Sequence, residues 1–324
     1  MIVDGHLDIA WNALAHGCRF DAPPARGRLV SRPALEAAGV GIVFCTIFCP
    51  PCGRAVAAGF GYETPREAHL MARAQLGYYR SVGLPLLRDR CDLDRHLRRW
   101  RRRGPAGVLL MEGADPIEDP AQMGWWAEQG VRIVGPAWGR TRYAGGTGEP
   151  GGLTPAGVEL LQAMRATGTV LDLSHLADRA VAEALERWDG PVVASHSNAR
   201  RLVPGDRQLD DETVREIARR GGVVGVSLYG GHLRADGGRP RLQDVVEQVA
   251  YLARAAGGVE HVGLGTDLDG GFPADRTPLR RLEQLQGLRD LLRRRFTQRE
   301  TEGILGGNWI GFLRRNLPVS KEGS

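Results

Sequence analysis

Several things that would place this chain elsewhere are missing from it. No run approaches the roughly 18 consecutive apolar residues that a membrane-spanning helix needs. The start lacks a basic stretch followed by an apolar run and a cleavage site, so a cytoplasmic chain with no membrane partner is expected. Five cysteines, an odd number in 324 residues, do not make a disulfide framework. No G-x-G-x-x-G follows the first apolar run, which removes the usual mark of a dinucleotide-binding sheet. Neither sign of charge dominates, with 43 Lys and Arg against 38 Asp and Glu. The densest basic cluster, RHLRRWRRRG from Arg95 to Gly104, could meet nucleic acid but reads as the solvated face of a helix that turns Leu97 and Trp100 inward. No nucleic-acid partner is expected. With 42% apolar and 25% charged residues, disordered and fibrous classes are also set aside.

What is present is alternation. Short apolar runs recur at Ile2 to Asp8, Gly41 to Cys49, Gly107 to Glu112, Val131 to Val134, Thr169 to His175, Pro191 to His196, Gly222 to Leu228 and His261 to Asp267. Helical stretches separate them. Thr64-Pro65-Arg66-Glu67 reads as an N-cap, a proline at the first helical position and a capping-box glutamate, and Thr154-Pro155 opens another helix. The segment LQDVVEQVAYLARAAGG carries apolar residues at helical spacing and stops at Gly257-Gly258. Eight strands alternating with helices imply an α/β fold, a closed (β/α)8 TIM barrel, with an open doubly wound sheet as the alternative. No linker divides the chain, so residues 1–324 are expected to form a single barrel domain, with closing helices at about 297–316. The Gly/Pro-rich stretches Pro50 to Gly61 and Ala144 to Gly152 each follow a strand, where barrel loops carry function.

Cys45, Cys49 and Cys52 are spaced C-x3-C-x2-C, as in a radical iron–sulfur motif. Val43, Cys45, Ile47 and Cys49 alternate along one strand, however, and two of its cysteines would lie about 13 Å apart at ~3.3 Å per residue. One cluster could not hold both. They are expected to pack as small apolar side chains.

Barrel chemistry gathers at the C-terminal ends of strands. There the sequence places His6 and Asp8, Glu112 in VLLMEGAD, His175 in VLDLSH, His196 in VVASHSN and Asp267 in LGTDLDGG. Taken alone, each has a dull account: a strand end meeting water, or a carboxylate capping the next helix. Five strands delivering six such residues to one rim point instead to a metal site. Residues i and i+2 of a strand share a face, so His6 and Asp8 should point together. The set suits two Zn2+ per chain: one on His6 and Asp8, the other on His175 and His196, with Glu112 and a hydroxide shared.

These motifs, DGHLD, EG, LDLSH, SHSNAR and GTDLDGGF, resemble those of the membrane (renal) dipeptidase family of dinuclear zinc peptidases, across nearly the whole chain. The resemblance implies a barrel of the metal-dependent hydrolase type that hydrolyses dipeptides by metal-activated hydroxide. It implies zinc ligands at His6, Asp8, Glu112, His175 and His196, with Glu112 bridging. Asp267 would handle protons and the substrate's amine end, making Asp267 and Glu112 the expected catalytic residues. Arg207 would meet the carboxylate end, for which an arginine fork is a good receptor, and Tyr229 would also reach substrate. One departure stands out: Trp138 occupies the position where the family often carries an oxyanion-binding His. Trp has one N–H and cannot be protonated, so Arg140 or Arg142 is expected to substitute, or the substrate differs. The alternatives are a related amidohydrolase acting on another small amide, lactam or ester, or a non-catalytic metal-binding barrel. The expected partner is a small dipeptide, and a homodimer is admitted.

Overall fold

A strand buried on both faces must be apolar at every position rather than alternating. That pattern is met by β1 (Ile2–Leu7), β2 (Val40–Phe48) and β3 (Ala106–Glu112), all of whose residues are buried. The structure, a computed structural model, describes residues 1–53 and 60–319. Five residues or fewer make up each later strand: β4 (Val131–Gly135), β5 (Ala144–Gly146), β6 (Glu149–Leu153), β7 (Val170–Asp172), β8 (Val192–Val193), β9 (Val224–Val226) and β10 (Val262–Leu264). Eight of them form one parallel sheet in the order β8-β7-β4-β3-β2-β1-β10-β9. A bridge between Ala194 and Val224 joins its two ends, with Gly225 N–H donating to the Ala194 carbonyl at 2.8 Å. The sheet is therefore a barrel of the TIM type, as the alternation implied. All eight expected strands are found, although the last four form shorter ladders.

Even-numbered residues of β2, Ile42 and Phe44, fill the barrel interior with Val108, Leu110 and Ile133. Odd-numbered Val43, Cys45, Ile47 and the following Cys49 face the helical layer. Burial pushes the Cys45 and Cys49 thiols up, as expected of small apolar side chains. The base of the barrel is closed by helix Asn308–Asn316, within the stretch expected to close it. Its Trp309 and Phe312 enter the interior cluster, and the Trp309 indole donates to the Leu264 carbonyl at 2.9 Å. A Cβ on Gly263 would overlap that indole, which explains the glycine. Higher up, the Ser195 carbonyl projects inward, and a methyl at Gly225 or Gly265 would overlap it.

The helix starts follow their sequence signals. Helix Pro65–Ser81 carries the full capping box of Thr64 and Glu67, and helix Leu242–Ala256 stops at left-handed Gly257. In helix Arg90–Arg103 the fully buried residues are Leu93 and His96. Leu97 and Trp100 are half-buried, a rotation of the expected inner face set by His96 donating to the Gly41 carbonyl at 2.7 Å. The Ala144 to Gly152 stretch, expected as a loop, contributes the antiparallel β5–β6 hairpin. Of the Pro50 to Gly61 stretch, residues 54–59 lie outside the described residues. Among the described residues no helix is long and apolar enough to cross a membrane.

Candidate active site

The sequence reason for pairing His6 with Asp8 was strand alternation, but the chain uses another device. Between Asp4 and Leu7, β1 advances three residues while β2 advances two, from Val43 to Cys45. Such a bulge re-aims a side chain. Asp4 holds it in place, accepting from the His6 N–H at 3.2 Å, the Thr266 N–H at 2.8 Å and the Thr266 hydroxyl at 2.5 Å. Asp8 lies beyond the strand, just ahead of helix Ile9–His16. Its Oδ1 is 3.9 Å from His6 Nε2.

Glu112, at the end of β3, lies between two groups of side chains. Its Oε2 is 3.5 Å from His6 Nε2, while Oε1 is 3.1 Å from His175 Nε2 and 3.3 Å from His196 Nε2. The two last nitrogens are 3.0 Å apart. Three overlapping sets thus form, His6/Asp8/Glu112, Glu112/His175/His196 and His6/His196/Asp267, each with donor atoms within 4.8 Å of one another. His175 and Asp267 both adopt left-handed backbone, φ 68° and 59°, which L-residues rarely do and which clusters at functional sites. All six rim residues named from the sequence therefore meet in space.

The far ring nitrogens are anchored as metal-binding histidines require. Ser195 Oγ lies 2.9 Å from His196 Nδ1 and 3.4 Å from His6 Nδ1, and Thr147 Oγ1, on the β5–β6 turn, lies 3.1 Å from His175 Nδ1. All three Nε2 atoms consequently face Glu112. Asp172, ending β7, accepts from the N–H groups of Ser174 and Ser195 at 3.0 and 2.9 Å and so ties the two histidine-bearing loops together. Ser195, Thr147 and Asp172 were not singled out from sequence. Only the motif contexts LDLSH and SHSNAR pointed toward two of them.

Electrostatics test whether these residues fit metal ions. His6 Nε2 and Asp8 Oδ1 are buried without any hydrogen-bond partner, a costly state unless something cationic supplies it. Burial pushes the Asp8 and Asp267 carboxyls up. Burial also lowers two imidazoles, His175 to about 4 and His196 well below its ordinary range, leaving both in the neutral form a metal ligand needs, whereas at His6 burial is outweighed by the charges of Glu112, Asp8 and Asp267, which raise it to about 10. Glu112 goes the other way: burial opposes its charge, but His6 and the hydrogen bonds from His175 and His196 hold it well below the usual carboxylate range. Orphaned donor atoms, two neutral imidazoles, a third whose proton a cation would replace, and a charged carboxylate among them fit a pair of divalent cations.

Beside the cluster is a cavity of about 240 Å3. Arg207, Trp138, Tyr229 and Asp267 line it, with Phe48, Phe272 and His232. Arg207 is buried, and burial lowers its pKa. It donates to Ser197 Oγ at 2.9 Å and to the His196 carbonyl at 2.6 Å. Trp138 packs against Phe48 with ring centroids 5.1 Å apart, and Tyr229 against Phe272 at 4.6 Å. Arg140 and Arg142 do not take the place opposite Trp138. Arg140 is exposed and donates to the Pro150 carbonyl at 2.5 Å, while the Arg142 guanidinium turns to the Glu118 carbonyl. Both are consumed by neighbouring loop carbonyls, a use that residue type alone does not reveal.

Fold and site together define a metal-dependent hydrolase of the barrel type. Residues 1–321 match the family model for Membrane dipeptidase (Peptidase family M19), and the chain belongs to that family. It is similar to a protein from the pqqA 5′ region of Klebsiella pneumoniae, 34% identical over 240 residues, 70% of this chain and 84% of that one. Dipeptidase tcpJ of Claviceps purpurea is 30% identical over 184 residues, 53% of this chain, and the matched part spans 41% of that protein. A metallo peptidase from Rhodobacter sphaeroides, solved with a phosphinate mimic of the dipeptide L-Ala-D-Ala, shares the fold with TM-score 0.85. That pair is 24% identical, over 97% of this chain and 99% of that one.

Proposed function

We propose that this chain is a dinuclear zinc dipeptidase: His6 and Asp8 hold one ion, His175 and His196 the other, and Glu112 bridges them. The observation that carries the reading is the division of Glu112, with one carboxylate oxygen toward His6 and the other toward His175 and His196. When bound, the ions supply Lewis acidity, making a water nucleophilic at neutral pH and polarising the amide carbonyl.

The chain's own residues do the rest. Ser195 and Thr147 keep three imidazoles aimed at one point, so no reorganisation is needed as charge develops. Asp267, in the same cavity and within ligand distance of His6 and His196 donors, is the carboxyl that takes the proton of the attacking water and returns it to the leaving amine. It also meets the substrate's ammonium end. Arg207 meets the carboxylate end, its guanidinium oriented by Ser197 and His196. A longer peptide would carry its terminal charge past one of these two groups, which favours dipeptides. The aromatic pairs Phe48–Trp138 and Tyr229–Phe272 give the cavity apolar walls for the two side chains.

Trp138 favours one second reading, a related amidohydrolase acting on another small amide, lactam or ester, since an indole cannot carry a proton to a developing oxyanion. Metal analysis with a dipeptide panel, including D-residues at the C-terminal position, separates the two. Two zinc ions per chain with dipeptide turnover is the expected result. Two ions without turnover would transfer the reading to the other amides, and a metal-free, inactive chain would overturn both.

A further inference from the structure

His232 takes no part in the chemistry above, yet it is held with unusual care. It follows β9 in the sequence SLYGGHL. Two glycines allow a single helical turn, Gly230–Leu233, directly after Tyr229, whose ring would collide with a side chain at position 231. The turn brings the His232 ring edge-on to Tyr229, with centroids 4.9 Å apart, and both line the cavity beside the donor cluster.

Side chains from three separate segments fix this residue. Asn198 and Gln248 donate to its carbonyl at 2.9 and 3.2 Å. Ser227 Oγ lies 3.0 Å from its Nδ1. Asn198 also pairs with the Ser227 carbonyl and N–H at 3.1 and 2.8 Å, so one amide positions both the histidine and its serine. Most buried polar side-chain atoms find a hydrogen-bond partner. Here Nδ1 is engaged, and Nε2 is the nitrogen left for the cavity.

Ser227 Oγ accepts from the Tyr229 N–H at 3.2 Å and keeps its hydroxyl hydrogen free to turn to His232 Nδ1, the arrangement that places the imidazole hydrogen on Nε2. Burial, and then the charge of Arg207, keep the ring neutral. A neutral N–H donor and a guanidinium with unused N–H groups thus line one small cavity, and their shared complement is an oxygen anion.

We propose that His232 Nε2 is a second donor, with Arg207, to the terminal carboxylate of the substrate, so that selection for a free carboxyl end depends on both residues. This rests on the dipeptidase reading. The test compares KM for a dipeptide with the inhibition constant of the same dipeptide's C-terminal amide, in wild type, H232A, H232Q and S227A. H232A is expected to raise the dipeptide KM about ten- to hundredfold, with kcat and zinc content little changed and the amide's inhibition constant unmoved. H232Q should recover part of the loss, because its amide can donate from nearly the same place. S227A, which keeps the ring but frees its tautomer, should raise KM in the same sense and by less. An unchanged dipeptide KM in H232A or S227A overturns the proposal, and so does an equal loss for dipeptide and amide. Wild type that cleaves no dipeptide would overturn the dipeptidase reading itself, and this inference with it, before any variant is compared.

Discussion

The two ends of the barrel are built on opposite principles. At the base, Trp309 and Phe312 pack with Phe44, Val108 and Leu110, hydrocarbon against hydrocarbon. At the rim a few ångströms separate carboxylates and imidazoles, two of whose atoms have no partner. Burial at the base stabilises the fold, roughly 25 cal/mol for each Å2 of apolar surface removed from water. Burial at the rim costs stability until cations arrive. The difference teaches that the fold is secured away from the chemistry, so the rim can keep an arrangement that would be unfavourable alone.

Four changes would break or sharpen this contrast. The largest effect is expected from Glu112→Gln, which removes the carboxylate facing both histidine groups. Dipeptide kcat/KM should fall on the order of 10^3-fold or more, with zinc content reduced and far-UV circular dichroism retained. Full activity with two ions still bound would sink the bridging role. Next comes Trp309→Ala at the base, expected to cost about 3–5 kcal/mol in denaturant unfolding. Activity per folded molecule should fall far less than in Glu112→Gln, because Trp309 belongs to none of the donor groups even though its ring lies against Gly5, next to His6; the two ends should act as largely independent units. A hundredfold activity loss at unchanged stability would show that they are not.

Ser195→Ala removes the hydroxyl between His6 Nδ1 and His196 Nδ1. Zinc affinity should weaken about 10- to 100-fold in a competitive chelator titration, as for other groups that orient metal ligands; unaltered affinity would mean the rings are aimed by packing alone. The smallest effect belongs to the surface. A hydrogen bond from Arg219 and, against partial burial, another from Arg220 hold the Glu216 carboxyl down to about 2. A depressed carboxylate contributes stability that is complete above its ordinary value of 4.5 and is lost as pH falls toward 2. Glu216→Gln should therefore melt slightly below wild type at pH 7, by at most about 1 kcal/mol. That gap should close between pH 4.5 and 2; a gap that stayed constant through this range would remove the ion pair from the account.

Much of the architecture was legible because it rests on local rules. The Thr64 capping box, the Gly257 stop and the all-apolar β2 and β3 are signals carried by a few neighbouring residues. So were the donors His6, Asp8, Glu112, His175, His196 and Asp267, whose strand-end positions follow from the barrel rule. What escaped depends on residues distant in sequence. The bulge in β1 is held by Thr266, far along the chain, and the alternation argument for His6 and Asp8 reached the right neighbours by a route the backbone does not take. Likewise, the shorter ladders of β7 to β10 reflect loops held by side chains such as Asp172 and Asn198 in place of backbone pairs. His232 has no motif at all; only the cavity and the Ser227 contact bring it to notice.

The inward-pointing Ser195 carbonyl has an evolutionary side. Since even a methyl group at Gly225 or Gly265 would displace it, and its own residue steadies two imidazoles, those glycines should emerge from saturation mutagenesis as intolerant as the clustered histidines and carboxylates of the rim. A fitness map would then flag two positions that touch neither ion nor peptide. Their constraint is one of room, transmitted through a single oxygen, and shows how a sequence can look catalytic at places where no chemistry happens.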